Sequence, residues 1–151
     1  MSAPLVIGLG NELRGDDVAG LLAARELRAL AVKGVEVEEH SGDVAALAES
    51  LATHEEVVIV DAVAGRAPVG TVLAFIPSVA LDGARSSSHG LGVAEALALA
   101  QALGAAPRVR LIGIAGTNFG LGAKPSTAVV VAARAVAQTV AEDLMGKPAC
   151  A

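Results

Sequence analysis

The chain has 151 residues, of which 54% are hydrophobic and 1% aromatic, and its formal net charge at pH 7 is −5. This length predicts a single domain over residues 1–151, and an acidic chain almost without aromatic side chains lacks the basic surface and the stacking platform of nucleic-acid binders. Its longest apolar runs fall well short of the roughly 20 residues that a membrane-spanning helix needs, so we expect no membrane span.

Strands and helices alternate along the sequence. In chain order, the hydrophobic patterns predict a strand at 5–9, a helix at 18–30, a strand at 35–39, a helix at 44–51 capped by Asp43, strands at 56–63 and 70–75, a helix at 92–103, a strand at 109–114 and a last helix that begins near Pro125 and ends near Met145. This alternation predicts an α/β fold, a three-layer, mostly parallel sheet with helices on both faces.

Ligands of such sheets bind outside the carboxyl ends of the strands. The predicted elements place four segments at that edge, namely residues 8–17, 40–43, 61–65 and 116–122. The polar residues of interest gather in these segments.

The first of these segments, GLGNELRGDD, begins like a dinucleotide fingerprint but lacks its third glycine. Asp16 and Asp17 would repel a pyrophosphate, which disfavours nucleotide binding. We expect Gly8 and Gly10 to form a tight turn with Asn11, and Asp16 to cap the following helix. A helix needs one cap, so Asp17 is left for another role.

Two further residues attract attention because of their positions. Asp61 ends a buried strand, where α/β proteins place functional carboxylates, although it could instead cap the next turn. His89 precedes a helix and could be a ligand or a base, while Ser88 beside it lacks the nucleophile-elbow pattern of serine hydrolases. We expect His40 to lie on the surface and His54 in a solvated stretch.

Asp17, Asp61 and His89 combine two carboxylates and one imidazole on separate loops. If the order of the strands brings those loops together, the three residues form a site that suits zinc, nickel or iron. The residues alone leave the metal open.

The stretches VIGLGNELRGDDVAG, VVIVDAVAG and SSSHGLGVAEAL, in that order, resemble the hydrogenase maturation endopeptidases. These proteases remove a C-terminal extension from the large subunit of nickel-iron hydrogenases. The resemblance spans roughly residues 5–145 and implies a twisted, three-layer α/β fold of the phosphorylase/hydrolase-like type. It implies a peptidase whose partner is the large-subunit precursor and whose metal-binding and catalytic residues are Asp17, Asp61 and His89. It also implies that the nickel they bind arrives with the substrate.

The chain departs from the family pattern at two places. Val18 stands where many members have glycine, and GIAGTNFGLG lacks the polar or acidic residue and the proline that many members carry after the fifth strand. These departures leave the natural hydrogenase open. A metal-binding scaffold without protease activity is an alternative, and so is a peptidyl-tRNA hydrolase, although Glu12 and Leu13 replace the Pro-Gly of that family.

The single cysteine, Cys150, can form no internal disulfide, which fits a reducing compartment. The N-terminus lacks the basic and apolar segments of a secretory leader. We therefore expect a cytoplasmic protein. We expect Cys150 to have no catalytic role, because a frayed terminus would not hold a reactive thiol in place. Processing enzymes of this size can act alone, so we expect a monomer.

Overall fold

The computed structural model describes residues 2–75 and 90–146. In chain order its elements are β1 (Leu5–Leu9), a 3-10 helix (Gly15–Val18), α1 (Ala19–Ala29), β2 (Glu36–His40), α2 (Val44–Ala52), β3 (Glu56–Val63), β4 (Val72–Phe75), α3 (Gly90–Ala102), β5 (Arg108–Ala115) and α4 (Thr127–Met145). Every predicted element is present, and β1 and β3 have the predicted bounds. Within the described residues, none of the helices combines the length and the apolar character that crossing a membrane requires.

The five strands form one sheet in the order β2-β1-β3-β5-β4. The first three pairs in this order are parallel, which confirms the mostly parallel prediction, and β4 lies antiparallel to β5 at the edge. Residues 64–71, which join β3 to β4, are fewer than the dozen or so that a parallel crossover requires. After β1 the chain continues to β2 at one edge of the sheet, and after β3 it continues to β4 at the opposite edge. The crevice between β1 and β3 is therefore the topological switch point.

Helices cover both faces of the sheet, as predicted. One face packs against α1 and α4 through residues such as Val6, Val58 and Val60, and the other packs against α2 and α3 through Ile7 and Ile59. Successive residues of one strand point to opposite faces, so both sets of side chains in β1 and β3 are buried. Burial on both faces explains why the sequences of these two strands are nearly continuous apolar runs.

The first helix approaches the sheet more closely than any side chain would allow. A Cβ atom on Gly20 would lie 2.2 Å from the carbonyl oxygen of Val60 and 2.3 Å from that of Leu9. A Cβ atom on Gly8 would lie 2.2 Å from the carbonyl oxygen of Gly20. The two glycines therefore let the backbones of α1, β1 and β3 touch.

The tight turn expected at Gly8 and Gly10 is wrong. Gly8 lies within β1, and a Cβ atom on Gly10 would lie 2.3 Å from the carbonyl oxygen of Asp17, so both glycines serve close packing. The turn comes later, where the side-chain oxygen of Asn11 accepts a hydrogen bond of 2.9 Å from the backbone N–H of Leu13.

The edge strand β2 turns a polar face toward α2. Glu38 Oε2 accepts a hydrogen bond of 2.6 Å from Ser50 Oγ and lies 3.0 Å from His40 Nε2. His54 Nε2 lies 2.5 Å from Glu36 Oε2. The side chains of His40 and His54 are only 12% and 10% exposed, so their expected placement on the surface and in solvent is wrong.

We predict that Gly20→Ala lowers the free energy of unfolding by at least about 2 kcal/mol, because the added methyl group would overlap two backbone carbonyls. Gly92→Ala in α3 is the matched control. Among the residues that the structure describes, the nearest atom to its new Cβ would be Val44 Cγ2 at 3.7 Å. The better helix propensity of alanine should therefore leave stability unchanged or raise it by about 0.5–1 kcal/mol. Urea denaturation measures both variants, and equal effects would contradict the packing role of Gly20.

A second prediction concerns pH and His54. Burial by itself lowers the pKa of His54, but its hydrogen bonds to Glu36 and to the Ser50 carbonyl, with the charge of Glu36, raise that pKa above 6.5. The folded state thus binds the proton more tightly than the unfolded state, so the stabilisation is full below pH 6.5 and is lost as pH rises through the folded-state pKa. We expect His54→Gln to cost about 0.5 kcal/mol more at about pH 5.5 than at about pH 8.5. Glu36→Gln should remove the same pH-dependent difference, and a pH-independent loss in His54→Gln would refute the ion pair.

Candidate active site

Asp17 and Asp61 lie on adjacent elements at the carboxyl edge of the sheet. Asp17 is in the 3-10 helix that joins β1 to α1, and this helix contacts β3. Asp61 directly follows Val60, the last residue of β3 that pairs with β1. The two aspartates are 3% and 8% exposed. The switch point therefore holds two buried carboxylates, at the edge where the sequence predicts them.

Asp61 does not end its strand, which differs from the prediction. The other side of β3 pairs with β5 as far as Val63 and Ala115, so β3 continues past the end of β1. The alternation of the strand places Asp61 on the same face as Ile59, toward the layer of α2 and α3. Its Oδ1 accepts a hydrogen bond of 2.8 Å from the backbone N–H of Ala62.

His89, the third predicted site residue, lies outside the described residues, as do Ser88 and Cys150. The helix α3 begins at the next residue, Gly90. Its start lies at the carboxyl edge of the sheet, because a Cβ atom on Gly92 would be 3.8 Å from the carbonyl oxygen of Gly42 in the β2–α2 connection. Across residues 2–75 and 90–146, no group of three histidine, cysteine or acidic side chains is placed to bind a metal ion.

Asp16, the neighbour of Asp17, anchors a distant loop. Its Oδ2 accepts hydrogen bonds from the backbone N–H groups of Thr117 (2.9 Å) and Asn118 (3.1 Å) and from Ser126 Oγ (2.8 Å). Its Oδ1 accepts one from the backbone N–H of Ser126 at 2.6 Å. No side-chain cap is made at the start of the 3-10 helix or of α1, so the expected capping role of Asp16 is wrong. The carboxylate instead binds both ends of the β5–α4 loop.

These four donors determine the charge of Asp16, which is fully buried. Burial raises the pKa of a carboxyl group, but the hydrogen bonds from Ser126, Thr117 and Asn118 outweigh burial and lower the pKa of Asp16 below 3.8. The group is therefore a carboxylate at neutral pH, and its oxygens are occupied by donors of the protein. The adjacent acids thus have separate tasks, and Asp17 is the one that remains a candidate for ligand binding.

Sequence reasoning missed the partners of Asp16 because they lie about a hundred positions away along the chain. One signal was present: Ser126 follows Pro125 at the start of the last helix, and serine is a residue type that caps helices. Ser126 is indeed the N-cap residue of α4, but its hydroxyl donates to Asp16 instead of accepting from the helix.

Comparison with known proteins agrees with this fold. The family model described as hydrogenase maturation protease (HycI) matches residues 31–142. The solved [NiFe] hydrogenase maturation protease HybD from Thermococcus kodakarensis is 32% identical, with a TM-score of 0.77 over 95% of this chain and 99% of that chain. The maturation protease HycI from Thermococcus kodakarensis KOD1 is 27% identical, with a TM-score of 0.77 over 96% of this chain and 94% of that one.

The hydrogenase maturating endopeptidase HybD from E. coli shares the fold, with a TM-score of 0.78 at 23% identity over 97% of this chain and 94% of that chain. No match is found among the curated proteins. The family match covers well over half of the sequence, and the first of these structures is similar over nearly the full length of both chains. The chain therefore belongs to the hydrogenase maturation protease family and is a peptidase.

Proposed function

We propose that this protease removes the C-terminal extension from the large-subunit precursor of a nickel-iron hydrogenase after nickel has been inserted. The observation that carries the proposal is the pair of buried carboxylates, Asp17 and Asp61, on adjacent elements at the switch point. A relative that is 32% identical is named as a [NiFe] hydrogenase maturation protease, which supports the same class of substrate for this chain.

Asp17, Asp61 and His89 bind the nickel of the precursor in this proposal. Two neighbouring buried carboxylates create a local negative charge, which favours a cation over an anionic ligand. Carboxylate oxygens with an imidazole nitrogen form a ligand set that a divalent metal such as nickel accepts. His89 directly precedes α3, which begins at the same edge of the sheet as the two acids.

Binding the nickel also positions the peptide that is cut. Asp17 and Asp61 hold the metal-bearing part of the precursor at the carboxyl edge, and this fixes the scissile bond beside the acids. Hydrolysis adds a water to the scissile carbonyl, breaks the C–N bond and leaves the released amine with a proton. Two routes supply the activation: the substrate's nickel polarises the carbonyl or the water, or a carboxylate of the pair accepts the proton of the water while nickel serves only recognition.

We propose that the chain works as one domain and as a monomer in the cytoplasm. Its single cysteine fits a reducing compartment, and its net charge of −5 disfavours a nucleic-acid partner. A second function, precursor binding without cleavage, remains an outcome of the test below.

We predict that Asp17→Asn and Asp61→Asn each slow cleavage by about 100-fold or more, because the neutral amide weakens both cation binding and proton transfer. Mass spectrometry of the nickel-loaded precursor measures the loss of its C-terminal peptide. Asp43→Asn is the matched control: this carboxylate caps α2 near the same edge by accepting hydrogen bonds from Ala45 and Ala46. It should cost at most about 1 kcal/mol of stability and leave cleavage unchanged.

The same assay distinguishes the alternatives. The nickel-free precursor should remain uncut by the wild-type protein. Asp61→Asn with wild-type activity would overturn the assignment of the site. A wild-type protein that binds the nickel-loaded precursor tightly and leaves its mass unchanged would identify a scaffold rather than a protease.

A further inference from the structure

Two loops meet above the carboxyl end of β3. One is the turn at residues 11–15, which follows β1, and the other is the loop at residues 116–126, which follows β5. Because β3 lies between β1 and β5 in the sheet, loops that follow β1 and β5 and contact each other span the carboxyl end of β3. We refer to the two joined segments as the loop wall.

Backbone hydrogen bonds join the two halves of the loop wall directly. The N–H of Gly122 donates to the carbonyl of Leu13 at 2.7 Å, and the N–H of Asp16 donates to the carbonyl of Asn118 at 2.8 Å. The N–H of Gly116 donates to the carbonyl of Val63 at 2.9 Å, which ties the wall to the end of β3. The wall is thus part of the same edge that holds the two carboxylates.

Asp16 is the centre of this connection. Its carboxylate accepts from residues near both ends of the 116–126 segment, while its own backbone belongs to the element that carries Asp17. Gly15 allows the close approach: its φ is +55°, and a Cβ atom there would lie 2.3 Å from the carbonyl oxygen of Asn118. On the other side, Arg25 forms an ion pair with Glu12 of the turn.

The loop wall presents two large apolar side chains to solvent. Leu13 is 65% exposed and Leu121 is 75% exposed. The carbonyl of Leu13 accepts the hydrogen bond from Gly122, the residue that follows Leu121. Isolated exposed leucines are common, but these two lie on loops joined by a backbone hydrogen bond at the edge of a peptidase site, where an apolar segment of a polypeptide can bury them. Asp17 lies a few residues after Leu13 on the same connection.

We propose that Asp16 is a positioning residue that holds the loop wall together, so that Leu13 and Leu121 form one apolar contact for the precursor polypeptide beside Asp17. The inference rests on the proposed function and adds to it a substrate-binding surface and the residue that builds it. Asp16 does not touch the scissile bond, since its oxygens are occupied by Thr117, Asn118 and Ser126. Loss of the wall should therefore weaken precursor binding and leave the chemical step nearly unchanged.

The first test compares two exposed leucines in steady-state cleavage of the nickel-loaded precursor. Leu121→Ser should raise KM by about fivefold or more and change kcat by less than about twofold. Leu103→Ser is the matched control, because Leu103 is 71% exposed and follows the end of α3 that points away from the carboxyl edge. Neither change removes a buried contact, so both proteins should keep the wild-type melting temperature. Equal KM values in the two variants would overturn the role of Leu121.

The second test acts on the anchor without removing the buried charge. Ser126→Ala deletes one hydrogen bond to Asp16 and should raise KM in the same direction as Leu121→Ser, whereas Ser126→Thr keeps the hydroxyl and should restore the wild-type value. Ser50→Ala is the control for general destabilisation, since it also loses a hydroxyl that donates to a carboxylate, that of Glu38. It should lower the melting temperature and leave KM unchanged.

The outcomes separate this inference from the proposed function. If the wild-type protein leaves the nickel-loaded precursor uncut, the proposed function fails. If the wild-type protein cuts it and Ser126→Ala shifts KM no more than Ser50→Ala does, the positioning role of Asp16 is refuted while the proposed function stands.

Discussion

The backbone contact between α1 and the two central strands is the constraint on which the rest of the structure depends. Gly8 and Gly20 allow it, since a Cβ atom on either would lie 2.2 Å from a carbonyl oxygen. The contact seats the first turn of α1 on Val60, one residue before Asp61. The 3-10 helix that precedes α1 is thereby fixed over the end of β3, and Asp17 comes to the edge that carries Asp61. A packing requirement thus determines the geometry of the candidate site.

The acid pair shows how neighbouring residues of one type acquire different roles. Four donors surround the carboxylate of Asp16 and lower its pKa despite its burial. A carboxylate whose oxygens are occupied in this way is a poor metal ligand, because each new bond to a metal would displace a charge-assisted hydrogen bond. Asp17 shares the 3-10 helix with Asp16, and it is the acid of the pair that we propose as a ligand of the substrate's metal.

Local pattern predicted most of the fold and only part of the site. The bounds of β1 and β3 could be predicted because both faces of these strands are buried. The carboxyl ends of the predicted strands also gave the edge of the sheet at which Asp17 and Asp61 lie. The antiparallel course of β4 follows from a short connection, which hydrophobic periodicity does not report. The bonds from Asp16 to Ser126 cross 110 positions, and residue spacing carries no information about such a contact. The half-buried positions of His40 and His54 were missed because they depend on how the polar face of β2 packs on α2 and on the turn after it.

The sign of the charge at the switch point decides what this fold can bind there. In nucleotide-binding relatives of the doubly wound architecture, a glycine-rich turn and the start of the first helix offer free N–H groups to a phosphate. Here the glycines serve close packing, and the N–H groups of Thr117 and Asn118 are already bound by Asp16. Asp17 and Asp61 add negative charge at the same place. An anionic ligand would meet repulsion from these acids, whereas a cation carried on a polypeptide would meet carboxylates beside the loop wall. The same architecture therefore favours the opposite charge in this protein.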